Sequence, residues 1–315
     1  MRKRRTIIKL KFLGRQGYVI VGFLAFAVAS AQTSFSGLEV GYHIRSIALA
    51  GGGSLLAGMA NDQLNPAVAG HSQRKACFSW LRYPAGIQGG SASLKDSAQR
   101  FNYTLSLRHL NYGSFDGYNE DAEPTGSYYS GDSWLTFSAA GKSSNRILAY
   151  GITTGIFVSQ LEKYTAKVLT ITPGILFDLK QFDMKIGLSV QNWGLALDSY
   201  TAASEELPTR IVAGFSRQLA HLPLELDFDL GYRFTDGMLS LGLSGVFALP
   251  FGLELIWGTS SAKINQGSGN QNVRDLFAAS GIALSYTVKK YSLDIGGYFY
   301  GPGAWSNGIG LGVLF

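Results

Sequence analysis

The stretch LPLELDFDLGYRF, residues 222–234, decides the fold. Every even position from Leu222 to Phe234 is apolar or aromatic, whereas charged residues occupy odd positions. These charged residues are Glu225, Asp227, Asp229 and Arg233. Because successive side chains of a strand point to opposite faces, the alternation predicts a strand with one apolar and one polar face. Strands in soluble proteins usually have about five or six residues, so this longer run predicts that one face meets an extended apolar medium.

The same two-residue period recurs from about residue 75 to the end of the chain, for example in FNYTLSLRH (101–109) and MKIGLSVQN (184–192). A soluble β-sandwich also alternates, but runs of about nine to thirteen residues match a tilted strand that crosses a bilayer. The second face is rich in Gly, Ala and Ser, and it carries charges that a packed core would not accept unpaired. An open sheet edge would leave backbone groups unsatisfied in lipid. The sequence therefore predicts an all-β, transmembrane, antiparallel β-barrel.

The alternating segments number about 14, and an even number is typical of bacterial outer-membrane barrels. They cover residues 75–82, 87–94, 99–109, 133–141, 146–157, 166–178, 183–192, 208–218, 222–234, 238–247, 251–259, 275–288, 291–299 and 307–315. Short connections alternate with a set that contains every long one, including a predicted outer loop over 111–131. The five tryptophans all fall at strand ends on the long-loop side, as expected at a membrane–water boundary. This pattern predicts a location in the bacterial outer membrane.

Residues 1–31 have the three parts of a secretory signal peptide: a basic stretch, an apolar run and Ala29-Ser30-Ala31 before Gln32. The apolar run, residues 18–29, is shorter than the roughly twenty residues of a spanning helix, which favours cleavage over an uncleaved anchor. Seven of the 27 basic residues lie in this leader, which contains no acid. The isoelectric point of about 9.2 is therefore due to the leader and does not indicate nucleic-acid binding. We expect a signal peptide over 1–31 and the barrel over 75–315.

Between them, residues 32–74 form a segment in which the alternation is absent. Gly and Ala dominate it, and Asn65-Pro66-Ala67 predicts a turn or the end of a short helix. Small residues let backbone pack closely, as a plug inside a barrel must; the alternative is a loose periplasmic tail. The run Gly51-Gly52-Gly53 is not a phosphate-binding loop, because no Gly-Lys-Ser/Thr follows it.

The stretch RSIALAGGGSLLAGMANDQLNPAVAG (45–70) resembles the opening of the PorV/PorQ proteins, outer-membrane barrels of the FadL-like superfamily. A Gly-Gly pair, an acidic residue and Asn-Pro-Ala recur there. The matching plug-motif positions are Gly51, Gly52, Asp62, Asn65, Pro66 and Ala67. Two further stretches, 109–142 and 189–216, resemble PorQ in particular. They carry Tyr112, Gly113 and Phe115, and then Asn192, Gly194, Leu207, Pro208 and Gly214.

The resemblance implies a non-catalytic component of the type IX secretion system, acting in protein secretion or surface attachment. In that system PorV carries cargo proteins with a C-terminal sorting domain, and PorQ helps to hold the surface attachment complex together. The alternative hypothesis is a FadL-like outer-membrane transporter of small hydrophobic compounds. The expected partners are outer-membrane lipid and either proteins of a secretion or attachment complex or a small hydrophobic ligand, with no nucleic acid.

The residue types needed for catalysis are few. The histidines are His43, His71, His109 and His221. His109 ends a predicted strand at the outer rim without a serine or acid motif, so a lumenal esterase is the weaker hypothesis. The predicted lumenal acids share their space with basic residues, which favours pairing over acid–base chemistry. No Cys/His cluster has metal-site spacing, and the single Cys77 cannot form an internal disulfide. We expect no catalytic, cofactor-binding or metal site, and hence no enzyme.

Overall fold

The computed structural model describes residues 35–58, 62–71, 75–98, 100–119, 121–200, 205–266, 276–301 and 303–315. The predicted signal peptide lies outside these residues, as do both ends of the predicted 32–74 segment. Within the described residues, no helix has the length and apolar character needed to cross a membrane.

Fifteen strands in the described residues form one sheet in which every pairing is antiparallel. The strands are β1 Lys75–Arg82, β2 Gln88–Ala98, β3 Phe101–Tyr118, β4 Pro124–Lys142, β5 Leu148–Leu161, β6 Tyr164–Leu179, β7 Met184–Gln191, β8 Trp193–Asp198, β9 Arg210–Gln218, β10 Leu224–Arg233, β11 Leu239–Leu249, β12 Leu253–Ser260, β13 Ser280–Val288, β14 Tyr291–Gly301 and β15 Ala304–Leu314.

The sheet closes on itself. The first strand, β1, pairs along its whole length with the last strand, β15, and β5 pairs with β6. Both β7 and β8 pair with β6, and only Asn192 separates them, so they are two halves of one wall strand. The ring therefore has 14 positions, which confirms the predicted fold class.

The two faces of the wall are those that the alternation predicts. On β10, Phe228 and Leu230 are 45% and 44% exposed on the outside, whereas Asp227 and Asp229 are buried inside at 1% and 6%. A sandwich would have buried the apolar set instead. A closed barrel with an apolar outer band is the architecture of bacterial outer-membrane barrels, which confirms the predicted location. One tryptophan departs from the predicted rim set, because Trp134 points inward and is only 4% exposed.

The region 111–131 is not the loop that the sequence predicts. The strands β3 and β4 continue as a paired ribbon until Tyr118 faces Pro124, with register shifts at Asn111/Gly113 and Gly117/Tyr118. Near its tip both faces of this hairpin are largely exposed. Because neither face contacts lipid or core, the residues there need not alternate, and the sequence pattern therefore disappears although the strands persist.

Helices are short. A 3-10 helix spans Ser36–Glu39, an α-helix (α1) spans Ile44–Ala48, and a second 3-10 helix spans Pro66–His71. A further α-helix (α2), Lys263–Gln266, lies between β12 and β13, and single 3-10 turns occupy Pro84–Gly86, Lys180–Phe182 and Pro250–Gly252.

The described part of the N-terminal segment, 35–58 and 62–71, lies inside the ring. Helix α1 contacts β12–β15 and β1, and the Pro66–His71 helix contacts β3–β6 on the other side. Tyr42, Ile44, Leu49 and Leu55 are almost completely buried. These contacts agree with a plug and not with a loose tail, while the division of the chain at residue 74 into two units stays a prediction.

Candidate functional site in the barrel lumen

Inward-facing glycines form the part of the wall against which the N-terminal segment packs. A Cβ at Gly258 would lie 2.4 Å from the carbonyl carbon and oxygen of Leu49, and one at Gly281 would lie 2.3 Å from the carbonyl oxygen of Ile47. Across the lumen, a Cβ at Gly151 would lie 2.7 Å from the carbonyl carbon of Pro66. Ordinary van der Waals contact begins at 3.4 Å. Any side chain at these positions would therefore displace the segment.

Pairs of these glycines face each other across neighbouring strands, and we call the whole set the glycine belt. Its members face the N-terminal segment from seven strands. They are Gly151, Gly174, Gly187, Gly214, Gly242, Gly258 and Gly281. Gly151 pairs with Gly174, Gly187 with Gly214, and Gly258 with Gly281.

Two acids of the opening stretch hold the middle of the segment. The backbone N–H of Ser54 donates to Asp229 Oδ2 at 3.0 Å, and its hydroxyl donates to Asp229 Oδ1. The backbone N–H of Leu55 donates to Asp227 Oδ2 at 3.2 Å. These carboxylates therefore act as acceptors for successive backbone groups of a turn, a structural role that requires no chemistry.

The plug-motif positions divide into two groups in the structure. Gly51 has a φ of +77° with open space around its missing side chain, and Gly52 packs near Asp229. A left-handed backbone of this kind favours glycine. Both therefore form the tight turn that follows α1.

The second group lies against β2–β6. Asp62 is buried, accepts a hydrogen bond from Thr104 at 3.1 Å and lies 3.6 Å from Lys95 Nζ. The Asn65 side chain donates to the carbonyl of Ile175 at 3.1 Å and accepts from the N–H of Ala67 at 3.1 Å. Pro66 and Ala67 rest on Gly151. The motif thus positions the segment, and its attribution to a particular family stays a prediction.

Several acidic and basic side chains of the lumen pair with each other, as the sequence predicts, although Asp227 and Asp229 accept from the segment instead. Arg45 of α1 lies 2.8 Å from Glu254 and 3.6 Å from Asp294. Lys185 contacts Glu225 at 2.6 Å. At the outer end, Arg233 binds Glu39 of the segment at 2.8 Å and Asp236 of the next turn at 2.5 Å. The hydrogen bonds from Arg233 lower the pKa of Asp236.

A cavity of about 390 Å³ remains in the lumen between residues 36–41 and residues 46–51 and 63–64 of the segment. Leu38, Val40, Ile47 and Leu64 supply aliphatic surface. Trp134, Tyr298 and Tyr300 add three aromatic side chains. Pockets of about 300–1,000 Å³ with mainly apolar walls and a few polar groups are typical of small-molecule sites.

The polar side of this cavity lies at a break in the wall. Asn192, with a φ of 55°, interrupts the strand between β7 and β8. The ladder between β7 and β9 ends at the pair Gln191 and Arg210. Beyond it, β8 pairs with β6 and, among the described residues, with no other strand. Gln191, Asn192 and Arg210 all line the cavity, and Arg210 Nε donates to Gln191 Oε1 at 2.6 Å.

The residues considered for catalysis do not form a catalytic arrangement. His109 Nδ1 lies 2.9 Å from Ser133 Oγ on the exposed outer face, and in the described residues neither side chain hydrogen-bonds to a carboxylate. His43 instead caps α1 by accepting from the N–H of Arg45 at 3.2 Å. Within the described residues, no three His, Cys, Asp or Glu side chains are grouped to hold a metal ion.

No protein-family model and no curated protein sequence matches the chain. Solved structures do. The toluene transporter TodX of P. putida has a TM-score of 0.57 at 10% identity, covering 88% of this chain and 99% of that one. The toluene transporter TbuX of Ralstonia pickettii has 0.52 at 11% identity, with 88% and 99% covered. A deltaS2 mutant of the TodX monoaromatic hydrocarbon channel has 0.50 at 9% identity, covering 87% and 97%.

At this level of identity the likeness shows the fold. The chain shares the outer-membrane barrel fold of these structures. None of these three structures is a PorV or PorQ protein, so the narrower resemblance stays a hypothesis.

Proposed function

We propose that this barrel passes small apolar compounds across the outer membrane through its lumenal cavity. The observation that carries the proposal is the position of the cavity, which lies directly behind the break between β8 and β9. The barrels that share its fold include proteins described as toluene transporters. The protein would act without chemistry, as a non-enzyme.

The break offers a route that the closed part of the wall does not. Elsewhere a solute leaving the lumen sideways would have to separate paired strands, whose backbone groups have no other partners in lipid. Between β8 and β9 those ladder bonds are absent in the described residues. An apolar solute in the cavity would therefore reach the hydrocarbon next to Asn192, where burial away from water favours it.

Uptake of labelled toluene by cells that carry the protein in their outer membrane tests the cavity. Val40→Trp fills the cavity that Val40 lines, whereas Val288→Trp places the same side chain on the exposed outer face. We expect Val40→Trp to lower uptake to the level of cells lacking the protein and Val288→Trp to leave it unchanged. Equal uptake by both variants and the native protein would contradict the proposal.

A deletion tests the route. On β7 the outward side chains are at even positions, whereas on β8 they are at odd positions, including the exposed Trp193 and Leu195. Deleting Asn192 restores one alternation across both strands and should let β8 pair with the residues that precede β9, closing the break. Asn192→Gly keeps the phase and tolerates the positive φ. We expect uptake to fall for the deletion only; undiminished uptake after deletion would exclude this route.

A second function, in protein secretion or surface attachment, is supported by the β3–β4 hairpin. Tyr118 and Tyr129 are 62% and 70% exposed near its tip, and Phe115 stacks on Tyr128 with ring centroids 5.6 Å apart. Aromatic side chains are enriched at protein interfaces. If this function holds, pull-down from detergent-solubilised membranes should recover type IX secretion components, and Tyr118→Ala with Tyr129→Ala should abolish their recovery while toluene uptake persists. Recovery of no such component would contradict it.

A further inference from the structure

The outer face of β12–β15 carries a second, larger groove of about 1070 Å³. Its floor contains the outward side chains of Leu255, Trp257 and Ile282, and Phe299 and Trp305 border it. Leu276 and Phe277, from the connection that precedes β13, also line it and are 65% and 54% exposed. The outer wall thus contains an apolar groove with exposed large side chains above the lipid-facing strands.

The wall behind the groove is closed. The β12–β13 ladder is continuous from Leu253 opposite Tyr286 to Thr259 opposite Ser280, and β13–β14 is continuous from Ser280 to Val288. The break in the wall lies elsewhere, between β8 and β9. The groove is therefore not a stage of the proposed passage, and its occupant must come from the membrane side or from outside.

A basic side chain lies at this groove. Lys263, the first residue of α2, lines it. Within the part of the chain that the structure describes, Lys263 makes no hydrogen bond and no ion pair. Trp305 lies at the outer end of β15 and Trp257 in the outer half of β12, near the headgroup level that aromatic rings favour. An apolar groove in the lipid-facing band, with the ammonium group of Lys263 in its lining, is complementary to an acyl chain with an anionic headgroup.

We propose that this groove binds a membrane lipid with an anionic phosphate headgroup. The acyl chain occupies the groove between Trp257 and Trp305, and the phosphate pairs with Lys263. This lipid stays bound at the closed wall, whereas the other lipids around the barrel exchange freely.

Brominated lipids, which quench nearby tryptophans, provide the test. In the background Trp80→Phe with Trp193→Phe, the outward tryptophans that remain are Trp257 and Trp305, since Trp134 is buried in the lumen. The reciprocal background, Trp257→Phe with Trp305→Phe, reports on ordinary lipid-facing surface. Each protein is placed in vesicles of equal phosphatidylglycerol and phosphatidylcholine, with one of the two lipids brominated.

We expect the groove tryptophans to prefer brominated phosphatidylglycerol by about fivefold, the effect of one lysine near an anionic headgroup, and the reciprocal background to show no preference. Lys263→Gln should remove the preference, while Lys163→Gln, an exposed lysine of the β5–β6 turn, should keep it. Thr259→Phe, inside the groove, should reduce quenching by both lipids, whereas Thr154→Phe on exposed β5 surface should not.

Two results would overturn the proposal. Equal lipid preference in both backgrounds would make the groove ordinary lipid-facing surface. Absence of quenching by either lipid would mean that protein, such as a second copy of the chain, covers it.

Discussion

Replacing Gly258 by alanine tests whether the glycine belt holds the N-terminal segment in place. The added Cβ would lie 2.4 Å from the carbonyl carbon and oxygen of Leu49, whereas ordinary contact begins at 3.4 Å, so strand or segment must move by about 1 Å. Both partners are backbone, and neither can turn away as a flexible side chain could. Overpacking of this kind typically costs about 1–3 kcal/mol.

Gly242→Ala is the matched control. Gly242 belongs to the same belt, on the adjacent β11, but its Cβ would lie 3.5 Å from Gly52 Cα and 3.7 Å from Asp229 Cβ, which is ordinary contact. Both variants add one methyl group to an inward strand position, so only the distance to the segment distinguishes them.

Two measurements on the same proteins provide the result. Equilibrium unfolding by denaturant in the presence of phospholipid should show Gly258→Ala to be less stable by about 1–3 kcal/mol, with Gly242→Ala close to native. In planar bilayers, Gly258→Ala should conduct ions more than the native protein, because the displaced segment no longer fills the lumen. If Gly258→Ala matches Gly242→Ala in both measurements, the glycine belt does not seat the segment.

Two further changes test the hydrogen bonds between Asp229 and Ser54 and the lipid-facing side of the wall by the same denaturant measurement. Asp229→Asn weakens the charge-assisted hydrogen bonds that Ser54 donates to it and should cost about 1.5–3 kcal/mol, whereas Asp236→Asn, in an exposed turn, should cost less. Equal costs would mean that the hydrogen bonds to Asp229 do not hold the segment. Phe228→Arg puts a charge near the middle of the lipid face and should cost about 2–4 kcal/mol, while Leu222→Arg, at the periplasmic turn, should cost about 0–1 kcal/mol. Similar costs at both depths would argue against a membrane-embedded face.

The barrel could be predicted from the sequence because its lipid face and its lumen impose a period of two on every strand. Phe228 is apolar and Asp229 polar for the same physical reason along the whole wall. A strand that contacts neither lipid nor the lumen carries no such period and cannot be predicted from it. The β3–β4 hairpin lies in water on both faces near its tip, so residues 111–131 carry no alternation, although they are mostly strand.

The break at Asn192 was visible as a change of phase. Outward residues of β7 are even, as at Ile186 and Leu188, whereas those of β8 are odd, from Trp193 to Leu197. One residue between the two strands must therefore occupy no ordinary strand position, as in a β-bulge. A single predicted strand over 183–192 ends where this change occurs and therefore misses β8. The change of parity between Leu188 and Trp193 is the sequence signal that indicates β8.

The candidate site itself required coordinates. The alternation distinguishes a small inward face from an apolar outward one, but it does not tell an inward glycine with room for a Cβ from one without. Gly242 and Gly258 look alike in the sequence and differ by 1.1 Å in the space available to a Cβ, 3.5 Å against 2.4 Å. Likewise, Trp134 falls at a strand end like the other tryptophans, and its inward direction follows only from the register beside Arg108.

Several charged side chains of the lumen are already paired, which makes it more compatible with an apolar solute. Arg45 is held by Glu254, Lys185 by Glu225, and Arg233 by Glu39 and Asp236. A solute that enters the cavity displaces water mainly from Leu38, Val40, Ile47 and the aromatic rings. Arg210 also lines the cavity outside these ion pairs, and its Nε donates to Gln191 Oε1 at 2.6 Å. Stripping solvent from an unpaired ion would cost several kcal/mol or more. Breaking one of these pairs would expose such an ion to the solute. The ion pairs of the wall and segment thus lower the cost of bringing an apolar solute into the lumen, whereas the glycine belt provides the space that the segment occupies.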